Sequence, residues 1–193
     1  MAEEAENNRG AVFDRLFAGG SDPWDLQNSE YERAKRAATL AALGNGRFRH
    51  ALEVGCAYGL LTEQLARRCD RVLALDISEV ALARARARLE EEDRITLMRA
   101  EVPADWPEGQ FDCMIWSEVL YFLSAAEIEQ CSDLARHALL PGGVCVLVNW
   151  TGANDLPVSG EEATNLFIAS AWWTSAKLER AENYRLDVLR ALG

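Results

Sequence analysis

Between residues 50 and 150 the chain alternates short apolar runs with amphipathic stretches, and this alternation restricts the fold more than any other feature. HALEV (50–54), RVLAL (71–75), RITLM (94–98), FDCMIW (111–116) and VCVLVNW (144–150) have the length and apolar content of buried strands. Helical segments lie between them, at about 60–68, from Ser78 to about Glu92, and at about 124–139. Ser78 suits an N-cap, and Glu79 beside it complements the positive end of the helix dipole. Strands separated by helices pair through crossovers, so the pattern predicts parallel β-α-β units. Pro141-Gly142-Gly143 is expected to turn the chain into the fifth strand. The tail departs from the pattern. After a helix near 160–170, WWTSAKLER and YRLDVLRAL are joined only by Ala181-Glu182-Asn183, a connection that suits an antiparallel hairpin.

Upstream, residues 1–10 read as a disordered tail. From Ala11 to Leu43 the pattern is helical, broken by a turn at Gly19-Gly20-Ser21-Asp22-Pro23 and stopped by Gly44-Asn45-Gly46. The reading is one domain at 11–193, with a helical cover (11–46) on an α/β core (47–193).

A length of 193 residues allows a continuous core without a disulfide or metal staple. The net charge of −11 argues against a polyanionic partner such as nucleic acid. Arg84, Arg86 and Arg88 run straight into Glu90, Glu91, Glu92 and Asp93, which reads as a solvated helix face. The cysteines (Cys56, Cys69, Cys113, Cys131, Cys145) are scattered and form no C-x-x-C pair, so no metal site or disulfide framework is expected. Reduced thiols and an acidic N-terminus fit a cytoplasmic protein without a signal peptide. No apolar run approaches the roughly 20 residues of a membrane span.

The chemistry concentrates at strand ends. Glu53-Val54-Gly55-Cys56-Ala57-Tyr58-Gly59 follows the first strand, where glycines permit a sharp bend and close approach of a ligand. The loop lacks both the Gly-x-Gly-x-x-Gly dinucleotide form and a Walker Gly-Lys-Ser/Thr. Asp76 ends the second strand at the distance where an acidic side chain accepts ribose hydroxyls. Glu101 and Val102 follow the third, placed to meet an adenine amino group and ring face, with a solvated loop carboxylate as the alternative for Glu101.

These stretches, together with LALDIS (73–78), FDCMIWSEVLYFL (111–123) and LLPGGVCVLVNW (139–150), resemble class I S-adenosylmethionine-dependent methyltransferases. DPWDLQNSEYERAK (22–35) is similar to the NodS-like nodulation methyltransferases, which N-methylate an amino sugar of a chitooligosaccharide. With that opening the resemblance covers nearly the whole chain past residue 12. It implies a Rossmann-like fold: a seven-stranded, mostly parallel sheet with a C-terminal antiparallel hairpin and an N-terminal helical cover. The implied cofactor is S-adenosylmethionine. Its methionine part would lie on Glu53, Gly55 and Gly59, with Cys56 and Ala57 in the same loop. Asp76 would hold the ribose, and Ile77, Glu101 and Val102 the adenine. Ser117 and Glu118 would stand beside the sulfonium, with Trp24 and Tyr31 closing over the pocket. Trp24 also reads as a hydrophobic staple. Lys35 and Arg36 read first as solvated helix surface, with pairing to the cofactor carboxylate as the alternative.

The resulting expectation is N-methylation of an amino sugar or related small-molecule amine, in glycoconjugate or natural-product biosynthesis. Glu118 and Tyr121 would act as the catalytic pair that orients the acceptor nitrogen, and Trp116 or Trp150 would pack a sugar face, with Trp116 reading equally as core. Trp106 falls in a loop, while Trp172 and Trp173 fall in the hairpin, where packing is expected. Many relatives carry a histidine before the tryptophan that ends the fifth strand, whereas this chain has Asn149-Trp150. Its two histidines, His50 and His137, read as structural. Three alternatives stay open: an O-methyltransferase on a sugar or secondary metabolite, a non-catalytic cofactor-binding subunit, and a nicotinamide-dependent oxidoreductase. The oligomeric state is open as well.

Overall fold

The computed structural model describes residues 8–19, 22–153, 155–169 and 172–191. Two helices come first, α1 (Arg9–Ala18) and α2 (Glu30–Ala42). The core follows as β1 (Phe48–Val54), α3 (Leu60–Ala66), β2 (Cys69–Asp76), α4 (Glu79–Arg88), β3 (Ile95–Arg99), β4 (Phe111–Ser117), a 3-10 turn (Leu120–Phe122), α5 (Ala125–Ala138) and β5 (Leu139–Trp150). It closes with α6 (Gly160–Ile168), β6 (Trp173–Arg180) and β7 (Tyr184–Ala191). The sheet order is β3-β2-β1-β4-β5-β7-β6. Strands β1 to β5 are parallel, and β7 runs antiparallel to both β5 and β6. Parallel units and a terminal hairpin are thus both present, with β7 rather than β6 inserted against the parallel body.

Both faces of the sheet are covered, as apolar parallel strands require. Leu52, Val54, Met114, Trp116, Cys145 and Leu147 face α5 and α6, where Ile128, Cys131, Ala135 and Phe167 complete one core. Ala51, Cys113, Ile115, Val144, Val146 and Val148 point the other way, toward Leu61, Leu65 and Leu82. All five cysteines are buried and free.

The structure changes two of the expected boundaries and the packing of one tryptophan. Helix α1 begins inside the segment read as disordered: the Asn8 side chain accepts from the Ala11 amide at 3.1 Å and caps it. Residues 1–7 lie outside the described residues, as do Gly20 and Ser21 of the expected turn. Strand β5 starts at Leu139, before the expected Pro-Gly-Gly turn, which becomes an irregularity within the strand. There Phe111 pairs with Leu139 but Cys113 with Val144, so Pro141-Gly142-Gly143 bulges out of the ladder. Trp172, expected to pack, is 47% exposed, while Trp173 is buried and donates from Nε1 to Ser132 at 2.8 Å.

The cover is docked by polar contacts as well as by apolar ones. Asp14 of α1 accepts from the Ser78 hydroxyl (2.6 Å) and the Val80 amide (3.2 Å), at the N-terminus of α4 where a carboxylate is favoured. Arg84 donates to the Tyr58 hydroxyl and to the Phe17 carbonyl. Arg88 donates to the Tyr58 carbonyl and to the Gln27 side chain. Of the three arginines read as a solvated face, only Arg86 fits, paired with Glu79 at the surface. The other two tie α4 to the glycine loop and the cover.

Candidate active site

The strand order reverses at β1, which has β2 on one side and β4 on the other. In open α/β sheets the ligand crevice lies beyond the carboxyl ends of the strands at such a point. Here a cavity of about 620 Å3 opens at that place, roofed by α1 and α2. Its size is in the range of a cofactor site.

The loop after β1 forms its floor. The Gly55 and Cys56 amides both donate to the Leu75 carbonyl, which pins the turn to the end of β2. Gly55 has φ +80°, and a Cβ there would lie 2.3 Å from Cγ2 of Val119. Ala57 takes φ +46°, and its amide donates to Asp76 Oδ2 at 2.8 Å. Asp76 Oδ1 accepts from the Ser78 amide at 2.9 Å. Asp76 therefore joins the glycine loop to the start of α4 and also lines the cavity, leaving further acceptor positions on its oxygens. Gly59, expected to cradle the methionine part, does not line the cavity. It caps α3 at φ +74°, where Leu89 packs so close that a Cβ would meet Cδ1 at 2.8 Å.

Glu53 is 2% exposed, and its Oε2 has no hydrogen-bond partner. Burial, with the Asp76 carboxylate adding to it, pushes Glu53 up to about 7. Burial also pushes Asp76 up to about 6, against the backbone amides that favour its charged form. Raised folded pKa values mean that the folded state holds more protons than the unfolded chain across this range. Their stabilising contribution is complete below the unfolded values and is lost as pH rises through about 6 and then about 7. Glu161, paired with Arg180 and Arg185 and lowered to about 2, has its effect below that window. The ligand-free protein is therefore expected to melt at a lower temperature at about pH 8 than at about pH 5.5. Calorimetric scans of Glu53→Gln should show a smaller difference.

The end of β4 forms the opposite wall. Glu118 sits at φ +61°, a backbone conformation costly for a residue with a Cβ. Its amide donates to the Val148 carbonyl. Its Oε1 accepts from Lys35 Nζ at 2.7 Å. Its Oε2 accepts from the Tyr121 hydroxyl and, at 2.9 Å, from the Trp150 amide. Burial raises the Tyr121 phenol, with the Glu118 carboxylate adding to it, so Tyr121 is a protonated donor. Lys35 also pairs with Glu32 Oε1 at 2.7 Å and lies over the Tyr31 ring. Lys35, read first as solvated surface, is 4% exposed: the buried stripe of α2 is polar, made of Glu32, Lys35 and Thr39. Arg36 is half-buried and lines the cavity, with its Nε unpartnered.

At the other end, Arg9 of α1 pairs with Glu101 at 3.1 Å and with Glu127 at 3.0 Å. Ile77, Glu101 and Val102 line this part. The cavity thus brings together Trp24, Tyr31, Glu53, Gly55, Cys56, Ala57, Asp76, Ile77, Glu101, Val102, Ser117, Glu118 and Tyr121. Trp24 does so while 41% exposed, packed edge-on against Phe17. Trp116 is excluded: it is fully buried, stacked with the partly buried Trp106 at 5.9 Å, and neither ring lines the cavity. Trp150 lines the cavity. Asn149 is fully buried, donates to Thr164 at 2.9 Å and does not line it. His50 bonds the Gln110 carbonyl and His137 the Asp133 carbonyl, and neither lines it.

Sequence reasoning missed the contributions of Arg9, Phe13 and Phe17. Their spacing of four along α1 was the available signal, since it places all three on one helix face. It also missed Glu32, whose i, i+3 spacing from Lys35 marked an ion pair.

The family model of nodulation protein S (NodS) matches residues 10–135. The chain belongs to the NodS family. This NodS-family chain is 36% identical over 135 residues to nodulation protein S of Rhizobium tropici, a match covering 69% of this chain and 57% of that protein. The matched segment thus spans little more than half of that relative's own length. Among solved structures, N-methyltransferase NodS from Bradyrhizobium japonicum WM9, in complex with S-adenosyl-L-homocysteine, superimposes with a TM-score of 0.84 at 24% identity. The overlap covers 97% of this chain and 100% of that one. A candidate methyltransferase from Pseudomonas syringae gives a TM-score of 0.74 at 34% identity, covering 85% of this chain and 100% of that one. The fold is the Rossmann-like class I methyltransferase fold.

The residues present fit S-adenosylmethionine. Glu53 offers an unpartnered buried carboxylate oxygen suited to an ammonium, and Arg36 an unpartnered Nε suited to a carboxylate. No helix among the described residues is long and apolar enough to cross a membrane.

Proposed function

We propose that this chain transfers a methyl group from S-adenosylmethionine to the nitrogen of a small-molecule amine, with an amino sugar of a chitooligosaccharide or related glycoconjugate as the acceptor class. The observation that carries this reading is the wall opposite Glu53. It combines two carboxylates on one lysine with a buried tyrosine donor and the Trp150 ring, and no histidine lines the cavity.

S-adenosylmethionine supplies a methyl group already made electrophilic by its sulfonium. The protein's task is therefore alignment, which contributes up to about 7–11 kcal/mol. Glu53 and Arg36 bind the two charges of the methionine part, Asp76 the ribose, and Ile77, Glu101 and Val102 the adenine. Glu118 and Tyr121, locked to each other and to Lys35, present a rigid polar edge that orients the acceptor nitrogen. A deprotonated amine attacks without further activation, whereas a hydroxyl acceptor needs a general base within hydrogen-bond reach. Glu118 already accepts three protein hydrogen bonds and is poorly placed for that duty. Nitrogen is the better acceptor for this site. Trp150 supplies a flat face for sugar C–H groups. The acidic net charge and the buried free thiols suit a cytoplasmic enzyme working on a small molecule.

The test is product mass after incubation with S-adenosylmethionine and either fully deacetylated chitotetraose or its fully N-acetylated counterpart. Methyl gain on the deacetylated sugar alone is expected. Methylation of both sugars would place the methyl group on oxygen and overturn the nitrogen reading.

A further inference from the structure

Glu32 and Glu118 come from different layers of the fold, one from the cover and one from the sheet, and share a single cation. Lys35 Nζ lies 2.7 Å from an oxygen of each. Both carboxylates and the lysine line the cavity together with Arg36, whose charge also acts on Glu32; with Arg36 taken up by the cofactor carboxylate, the two carboxylates and one lysine leave one negative charge. The two carboxylates are not equally engaged. Of the roughly four lone-pair positions on a carboxylate, Glu118 fills three, from Lys35, Tyr121 and the Trp150 amide. Glu32 fills one, from Lys35 through Oε1. Among the described residues none donates a hydrogen bond to its Oε2, although the residue is only 9% exposed. A carboxylate oxygen held at a cavity wall with free acceptor positions binds best to a cation that fills them.

We infer that Glu32, from the N-terminal cover rather than from the methyltransferase sheet, is a specificity-determining residue that captures the acceptor as a cationic amine, whose proton passes to solvent before the freed nitrogen lone pair attacks the methyl group. The inference rests on the amine reading above and adds which charge selects the amine. Lys35 holds the Glu32 carboxylate in place and leaves one net charge to be neutralised by the acceptor. Glu118 fixes the geometry of the reacting edge. Anionic acceptors meet the excess charge and are rejected. Neutral sugars leave the Glu32 oxygen unpaired and bind weakly.

The experiment is steady-state kinetics of the full chain with fully deacetylated chitotetraose as probe, alongside calorimetry with S-adenosylhomocysteine. Removing a hydrogen bond to a charged group is expected to raise KM for the probe in Glu32→Gln by about 10- to 100-fold. The S-adenosylhomocysteine Kd should hold, and the loss should fall on KM rather than on kcat. Glu32→Asp, which keeps the charge, should recover part of the KM. An unchanged KM in Glu32→Gln, or equal loss in Glu32→Gln and Glu32→Asp with weakened S-adenosylhomocysteine binding, reduces Glu32 to a structural partner of Lys35 and overturns the inference. A wild-type protein that leaves the probe unmethylated and unbound overturns the amine reading and this assignment with it. A wild-type protein that methylates the probe with no effect of Glu32→Gln overturns this assignment alone.

Discussion

Gly55→Ala is expected to destabilise the protein by about 2–4 kcal/mol and to weaken S-adenosylhomocysteine binding at least 100-fold. Two effects combine. The backbone is at φ +80°, which a Cβ disfavours, and that Cβ would stand 2.3 Å from Cγ2 of Val119. Val119 cannot retreat freely, because it lies between Glu118, held by Lys35 and the Trp150 amide, and the 3-10 turn that carries Tyr121. The substitution therefore disturbs the floor and the opposite wall of the cavity together. Chemical denaturation and calorimetry read the two losses. Val119→Ala added to Gly55→Ala separates them: it removes the steric contact and should return part of the stability, while the φ strain persists.

Glu118→Ala is expected to lower kcat with a deacetylated chitotetraose acceptor by about 100-fold, the order that a small misplacement of reacting groups costs. The substitution leaves the Tyr121 hydroxyl and the Trp150 amide without an acceptor and Lys35 with Glu32 alone. Losing those bonds is also expected to lower stability by about 1–3 kcal/mol. Glu118→Gln keeps an acceptor for Tyr121 and should fold closer to the wild type while losing the charge opposite Lys35. Kinetics and melts of both variants check this. Wild-type kcat in Glu118→Ala would remove Glu118 from the acceptor site.

The strands and the glycine loop were readable in the sequence because parallel strands buried on both faces leave an unbroken apolar signature. The terminal hairpin was readable because three residues can connect only antiparallel neighbours. The same double burial hid which side of β4 faces what. Trp116 and Ile115 look alike in the pattern, and only packing against Trp106 and Phe167 makes Trp116 core. Lys35 was misplaced because a lysine in a charged helix ordinarily faces water. Its burial depends on Glu118, 83 residues away, which no local spacing reveals. The start of α1 was missed because the polar residues Asn8 and Arg9 look unstructured alone. Asn8 works as a cap, and Arg9 gains its partners only from Glu101 and Glu127. Asp76 was placed in the cavity from its position after β2, but its grip on the Ala57 and Ser78 amides follows from the loop geometry alone.

The most direct test of the account is calorimetric titration of the protein with S-adenosylhomocysteine, beside Glu53→Ala. The cavity at the β1 and β4 ends predicts saturable one-to-one binding that Glu53→Ala weakens at least tenfold, through loss of the buried carboxylate that meets the ammonium. No binding by the wild type, or equal binding by Glu53→Ala, would contradict the assignment of this cavity to the cofactor.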